Sequence, residues 1–328
     1  MSEKRTVIIN GYAYPSISPL VLEEWLPDLT NIYNFSYGVN ADGSLTDLND
    51  YRLTTAAADA GVGAVMVLTP FNEAGQFSSE IAELVLQDPQ ARQNLIEGVL
   101  ATLLDKGMSG VDFDFEYIEK DNRDLYVSLV RETAARLRPY GFTTTVALAP
   151  KTSAEQEGLL YSGHDYAGMG QAADYVLIMT YEWGYTFGPP MAVAPINKVR
   201  EVLEYGLTEI PAEKILMGIP NYGYDWTLPF VKGESMARKI TIDDGSAIAE
   251  SYGAQIFYDE EAQAPYFFYT DEDDFEHIVW FENQKSLSAK LSLIEEYGLA
   301  GAGYWNIMSF YEGNSVALNE LYIVSKDG

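Results

Sequence analysis

The chain contains no cysteine, which excludes disulfides, thiolate metal sites and a cysteine nucleophile. Histidine is nearly as scarce. Only His164 and His277 occur, which argues against a multi-histidine metal centre and against a Ser-His-Asp triad. Positive charge is in short supply too: 20 basic residues face 49 acidic ones, a net charge of −29. Such a surface repels phosphate backbones and anionic lipid, so neither nucleic acid nor membrane is expected as a partner. No window approaches about 18 uninterrupted apolar residues, so no membrane-spanning helix is expected. The start, Met1 to Thr6, runs straight into Val7-Ile8-Ile9. It lacks the apolar stretch of about 7–15 residues and the small-residue cleavage site of a signal peptide.

What is present is apolar and aromatic. Hydrophobic residues make up 47% of the chain against 21% charged, enough to bury a large core and to exclude disorder. The 24 tyrosines and 5 tryptophans suit a carbohydrate or other flat ligand, and suit a large core equally well.

Short apolar runs at 6–10, 31–37, 63–69, 110–116, 142–149, 174–181, 214–220 and 301–305 read as strands. Between them lie amphipathic stretches, among them 91–106, 122–138 and 196–206, with apolar residues at helical spacing. Asp88-Pro89 reads as a helix cap followed by proline at the first helical position. Strand and helix alternating eight times predicts a (β/α)8 barrel, an α/β fold, in a chain longer than the typical ~250 residues. The excess lies at about 224–284. There the rhythm gives way to short strand-like runs at 237–242, 254–259, 265–270 and 277–282, separated by acidic turns such as 271–274. An α+β insertion is therefore expected between strands seven and eight. The barrel would comprise 1–223 and 285–328, with helix resuming at 284–297.

The sharpest chemical signal is Ser109-Gly110-Val111-Asp112-Phe113-Asp114-Phe115-Glu116-Tyr117. Side chains on a strand alternate, so Asp112, Asp114 and Glu116 share one face while Val111, Phe113 and Phe115 take the other. Crowded, buried carboxylates resist joint ionisation, which keeps a carboxyl protonated near neutral pH, as a general acid requires. Glu116 falls at the C-terminal end of its strand, where barrel active sites lie. A solvated edge strand and an oxygen-ligand Mg²⁺ or Ca²⁺ site are the alternatives.

The segment 110–116 resembles the DGxDxDxE motif of glycoside hydrolase family 18, the chitinase family, with Ser109 replacing the first Asp. Met179-Thr180-Tyr181-Glu182 is similar to the family's M-x-Y-D segment, with Glu182 for Asp. Gly218-Ile219-Pro220-Asn221-Tyr222-Gly223 is similar to its G-x-P-x-Y-G segment, and Gly303-Tyr304-Trp305 to its strand-eight tryptophan. Residues 179–195 with 209–226 are similar to one subgroup, the catalytic domains of bacterial spore-cortex peptidoglycan N-acetylglucosaminidases. Those usually carry LysM repeats; none is visible here.

The resemblance implies substrate-assisted, retaining hydrolysis of β-1,4 bonds after N-acetylglucosamine, in peptidoglycan or a chitin-like glycan. It implies Glu116 as acid/base, Asp114 holding the acetamide N–H, Asp112 behind it, and Tyr181 on the acetamide oxygen. Trp305 would form the floor under the sugar, with no metal and no cofactor. A monomer, cytoplasmic or spore-associated in a bacterium, is the default. Tyr12, Tyr14, Tyr37 and Tyr222 lie at or beyond strand ends, as cleft or packing residues. Trp183 and Tyr185, in a loop, are better cleft candidates. Glu182 is a neighbouring acid or a solvated loop residue, and Trp226 and Trp280 divide between insertion core and cleft wall. His164 and His277 read as structural or surface residues. A non-catalytic sugar-binding barrel is the rival from another class, and a metal-dependent barrel hydrolase is a third reading.

Overall fold

Runs such as Gly63–Thr69 (GAVMVLT) and Ile215–Pro220 (ILMGIP) are apolar on both faces, the pattern of strands covered on both sides. In the computed structural model, which describes residues 4–326, they are two of eight parallel barrel strands. The others are Thr6–Ala13, Asn31–Val39, Gly110–Phe113, Thr143–Leu148, Tyr175–Ile178 and Gly301–Trp305. The ring closes where the first strand pairs with both the second and the last, Gly11 lying opposite Ile32 on one side and Tyr304 on the other. This is the expected (β/α)8 barrel. Tyr12, Tyr33, Phe35, Val67, Leu177 and Leu216 pack inside the ring, and a larger apolar layer lies between strands and helices.

Local sequence sets the helix limits. Helix Pro89–Lys106 starts where the Asp88 carboxylate accepts the Gln90 N–H at 2.8 Å, and stops where Gly107 turns left-handed at φ 64°. Arg123–Leu137, Ile196–Glu209 and Gln284–Glu296 fall on the expected helical stretches. Among the described residues no helix is long and apolar enough to cross a membrane.

Between the seventh and eighth barrel strands stands a second sheet, antiparallel and five-stranded. Its strands are Gly223–Thr227, Arg238–Ile240, Phe257–Asp259, Ala264–Thr270 and Glu276–Trp280, with helix Ile242–Ser251 packed on one face. The strand at 223–227 and this helix go beyond the sequence expectation.

Two barrel strands are shorter than expected. The fourth leaves the regular ladder after Phe113, although Asp114 still donates its N–H to the Leu68 carbonyl at 3.0 Å. The sixth ends at Ile178, and the chain then turns tightly, with the Thr180 N–H on the Ile178 carbonyl. Both strands stop at the barrel's C-terminal mouth, so their last side chains face the opening.

Candidate active site

The alternation through 110–116 survives the end of the ladder. Phe113 and Phe115 are buried outward against Tyr126, Phe115 stacking on it at 5.4 Å. Asp112 and Asp114 are buried on the opposite side, and Glu116 emerges at the mouth. Asp112 accepts hydrogen bonds from Tyr12 Oη (2.8 Å) and Thr145 Oγ1 (2.6 Å). Thr145 is backed in turn by Tyr33, Asn10 and Asn31, each donating to the next residue along the barrel axis. Ser109, at the departure from the motif, donates to the Ala64 carbonyl at 3.1 Å and ties two strands together.

Burial pushes Asp112 up to about 6, against the opposing pull of its two donors. Asp114 is raised well above the carboxylate range, first by burial and then by the charges of Glu116 and Asp112. Its Oδ1 is buried with no hydrogen-bond partner among the described residues, an acceptor left for a donor from outside. Glu116 is pushed up to about 7 by burial and by the nearby Glu182 carboxylate. A carboxyl group with that affinity holds a proton at neutral pH and releases it readily, which suits a general acid that must later act as base.

Tyr181 completes this group. It is 8% exposed, and its hydroxyl makes no hydrogen bond within the described residues. Room for its ring comes from Gly218, where a Cβ would sit 2.6 Å from the ring. The neighbouring Glu182 has φ 67°, which swings its carboxylate toward the seventh strand. There it accepts from the hydroxyls of Tyr222 and Tyr224, the latter at 3.0 Å. The Lys239 ammonium lies 3.6 Å from the centre of the Tyr222 ring.

These groups open into a cleft of about 730 Å³. Asp114, Glu116 and Glu182 face it among Tyr12, Tyr14, Phe35, Tyr181, Tyr185 and Trp305. Trp305 is fixed by edge-on contacts with Phe35 (4.9 Å), Tyr12 (5.5 Å) and Tyr14 (6.3 Å). Aromatic planes bind the C–H faces of sugar rings, while the carboxylates satisfy polar edges.

Several sequence expectations need correction. Tyr37 is not a cleft residue: it is buried on the outer side, bonded to Asp50 (2.7 Å) and Lys106 (2.9 Å). The second strand carries an extra residue between Asn34 and Tyr37, and such a bulge reverses the alternation beyond it. Phe35 faces the cleft instead. Tyr222 is 3% exposed and does not line the cleft; its hydroxyl anchors Glu182. Trp183 lines an adjoining side pocket. Trp226 is core, donating to the Gly188 carbonyl at 2.8 Å, and Trp280 stacks on Tyr266 at 4.6 Å. Neither forms the cleft wall.

Sequence reasoning missed Phe35, Phe71, Phe77, Tyr117 and Tyr161, all lining residues. Phe71 and Phe77 pair across a turned loop at 4.7 Å, and the Asn72-to-Gly75 turn signal between them marked that loop. His164 is fully buried, with Nε2 2.9 Å from the Phe115 carbonyl and Nδ1 2.9 Å from the Ala149 nitrogen. Burial pushes it down to about 4, so it is neutral. His277 sits in the insertion between Asp225 (2.8 Å) and Asp271 (3.2 Å). Among the described residues no three His, Asp or Glu side chains converge as metal ligands.

A model of the family described as glycosyl hydrolases family 18 matches residues 28–309. The cortical fragment-lytic enzyme of Bacillus subtilis (strain 168) is 37% identical over 329 residues, covering 98% of this chain and 76% of that protein. The crystal structure of the Bacillus cereus spore cortex-lytic enzyme SleL superposes with a TM-score of 0.96 at 36% identity, covering 100% of this chain and 77% of that one. A chitinase from Chromobacterium violaceum superposes with a TM-score of 0.89 at 25% identity, over 96% of this chain and 98% of that one. With the carboxylate series at the mouth of its barrel, this chain belongs to glycosyl hydrolases family 18 and is a glycosidase of the chitinase-like type.

Proposed function

We propose that this glycosidase cleaves β-1,4 bonds after N-acetylglucosamine in spore-cortex-type peptidoglycan, by substrate-assisted retaining catalysis with no metal or cofactor. The observation that carries the reading is the pairing of Glu116, raised to about 7, with the unpartnered buried oxygen of Asp114 in one aromatic cleft. Likeness to the cortical fragment-lytic enzyme supports the choice of peptidoglycan over plain chitin.

The acetamido carbonyl oxygen of the bound sugar attacks its own anomeric carbon. As the glycosidic C–O bond breaks, Glu116 gives its proton to the departing oxygen. Asp114 accepts the acetamide N–H, a bond that strengthens as positive charge develops on the cyclising group. Tyr181 supplies its free hydroxyl to the acetamide oxygen, and Asp112, held by Tyr12 and Thr145, sets the field behind Asp114. Water then opens the cyclic intermediate and Glu116 takes back a proton. Trp305 is the floor, and Glu182, anchored by Tyr222 and Tyr224, tunes the acid.

The same proposal takes 1–223 with 285–328 as the catalytic barrel and 224–284 as an insertion unit that buttresses it through Tyr224. The chain would work as a monomer on a polysaccharide, without nucleic acid or membrane.

The test is reducing-end release from purified cortex peptidoglycan and from chitotetraose, wild type beside Glu116→Gln. Release that is lost in Glu116→Gln supports the reading. Turnover of a glucose-based glycan lacking the 2-acetamido group would sink substrate assistance. Sugar binding without release would favour a non-catalytic barrel.

A further inference from the structure

Asp112 is the deepest of the three carboxylates and is fully buried. The groups that face it are Tyr12 from the first barrel strand, Tyr33 from the second, Thr145 from the fifth, Tyr181 beyond the sixth, Tyr126 from the helix behind, and Asp114 on its own strand. None of these carries positive charge. A negative charge on Asp112 therefore rests on neutral dipoles.

Those dipoles run one way. The Asn31 amide donates to Asn10 Oδ1 at 2.9 Å, and Asn10 Nδ2 donates to Tyr33 Oη at 3.1 Å. Tyr33 donates to Thr145 Oγ1 at 3.2 Å, and Thr145 donates to Asp112 at 2.6 Å. An amide nitrogen only donates and an ionised carboxylate only accepts, so both ends of the chain fix its direction. Tyr33 keeps its proton, since burial and then the Asp112 charge oppose its ionisation. Each bond in such a chain polarises the next, so all four act on Asp112.

The chain ends at a cavity of about 180 Å³ at the N-terminal end of the barrel, opposite the mouth. Thr30, Asn31, Ser109 and Tyr175 line it, and Tyr33 and Thr145 reach it from the barrel interior. Asn31 is 8% exposed, and its Oδ1 is a buried acceptor with no partner among the described residues. Gly63 makes room for it: a Cβ there would lie 2.1 Å from this oxygen and 2.6 Å from Ser109 Oγ. The cavity is polar and large enough for water. A water that donates to Asn31 Oδ1 adds one link in the same sense. Ser109, where the resembling motif has Asp, keeps this end free of a further anion.

We propose that Asn31, Asn10 and Tyr33, continued by water in this basal cavity, are positioning residues that hold Asp112 ionised during turnover and so fix the field behind Asp114. The proposal rests on the glycosidase reading above. It adds control of the acidic side of the pH profile from the far end of the barrel.

The experiment is the pH profile of kcat and KM for reducing-end release from cortex peptidoglycan by wild type, Tyr33→Phe, Asn10→Asp and the double variant. Burial already lifts Asp112 to about 6, so breaking a link lifts it further and the acidic limb of kcat moves up. Tyr33→Phe keeps the ring and is expected to move that limb by about 0.5 unit, with KM and the alkaline limb unchanged. On the acid side this is a loss of about threefold in kcat. Asn10→Asp draws the Tyr33 hydroxyl away from Thr145 and is expected to move the limb by about one unit. The double variant should move it no further than Asn10→Asp, because both cut one chain. Unmoved limbs, additive shifts, or a loss equal at every pH that tracks melting temperature would overturn the chain while leaving the glycosidase intact. Should Tyr33→Phe fail to fold, an unmoved limb in Asn10→Asp overturns it equally. Wild-type enzyme that released nothing would instead overturn the functional reading itself.

Discussion

The imidazole of His164 and the carbonyl of Phe115 meet at 2.9 Å, one residue before Glu116. A carbonyl only accepts and the Ala149 N–H only donates, so Nε2 must carry the proton and Nδ1 must be bare. One neutral ring thus clamps the segment bearing the acid to the end of the fifth barrel strand.

We expect His164→Ala to lower kcat about tenfold with KM nearly unchanged, because Glu116 loses its aim while the sugar floor stays. His164→Gln, which keeps a donor and an acceptor, should recover much of that loss. Steady-state kinetics with thermal melts check this: parallel loss in both variants, tracking stability alone, would mean the clamp is only structural. The folded pKa of about 4 lies below the unfolded value of about 6.5, so the unfolded chain takes up the proton first. His164 therefore removes stability as pH falls from about 6.5 towards 4, and His164→Gln should flatten that decline.

Glu116→Gln should lower kcat by about 10²- to 10⁴-fold while retaining oligosaccharide binding. In wild type the acid must enter protonated, so kcat/KM should fall as pH rises past about 7. A pH–rate profile flat to pH 9 would remove Glu116 from that role.

Glu182 raises Glu116 through its charge, so Glu182→Gln should move that alkaline limb down by about half a unit to one unit. Tyr222→Phe, which frees the Glu182 carboxylate, should shift it less. The same limb in both variants and wild type would show that Glu182 has no electrostatic hold on the acid.

Asp114 is raised by burial and by its acidic neighbours, so the folded state resists its ionisation. Its folded value exceeds the unfolded one, and stability is lost as pH climbs above about 4. Asp114→Asn should inactivate the enzyme yet raise Tm by a few degrees at pH 8, a gain that vanishes at pH 4. Melting curves at the two pH values decide it, and a destabilised variant at pH 8 would refute the strain.

Tyr37→Phe should leave kcat/KM within about twofold and cost about 1 kcal/mol of stability, through lost bonds to Asp50 and Lys106. A rise in KM on chitotetraose would return Tyr37 to the cleft.

The barrel was legible because its signals are local: two-sided apolar strands, amphipathic helices, and Asp88-Pro89 at the start of one helix. Asp112, Asp114 and Glu116 were legible for the same reason, since the two-residue period fixes a shared face whatever surrounds it. Tyr37 failed because one extra residue in the second strand, invisible as a pattern, reverses every side chain beyond it. Tyr222 failed because a strand-end position does not say whether a ring meets solvent or, as here, a neighbouring carboxylate. His164 lies 49 residues from the Phe115 carbonyl it binds, and no spacing rule joins them.

The alternating architecture, the acidic balance and the run of three carboxylates follow from neighbours along the chain. Which aromatics face the cleft, which oxygen of Asp114 is left bare, and the pull of Glu182 on Glu116 follow from packing. Those outcomes depend on burial and on distances between strands far apart in sequence, and charge interactions take their strength from both.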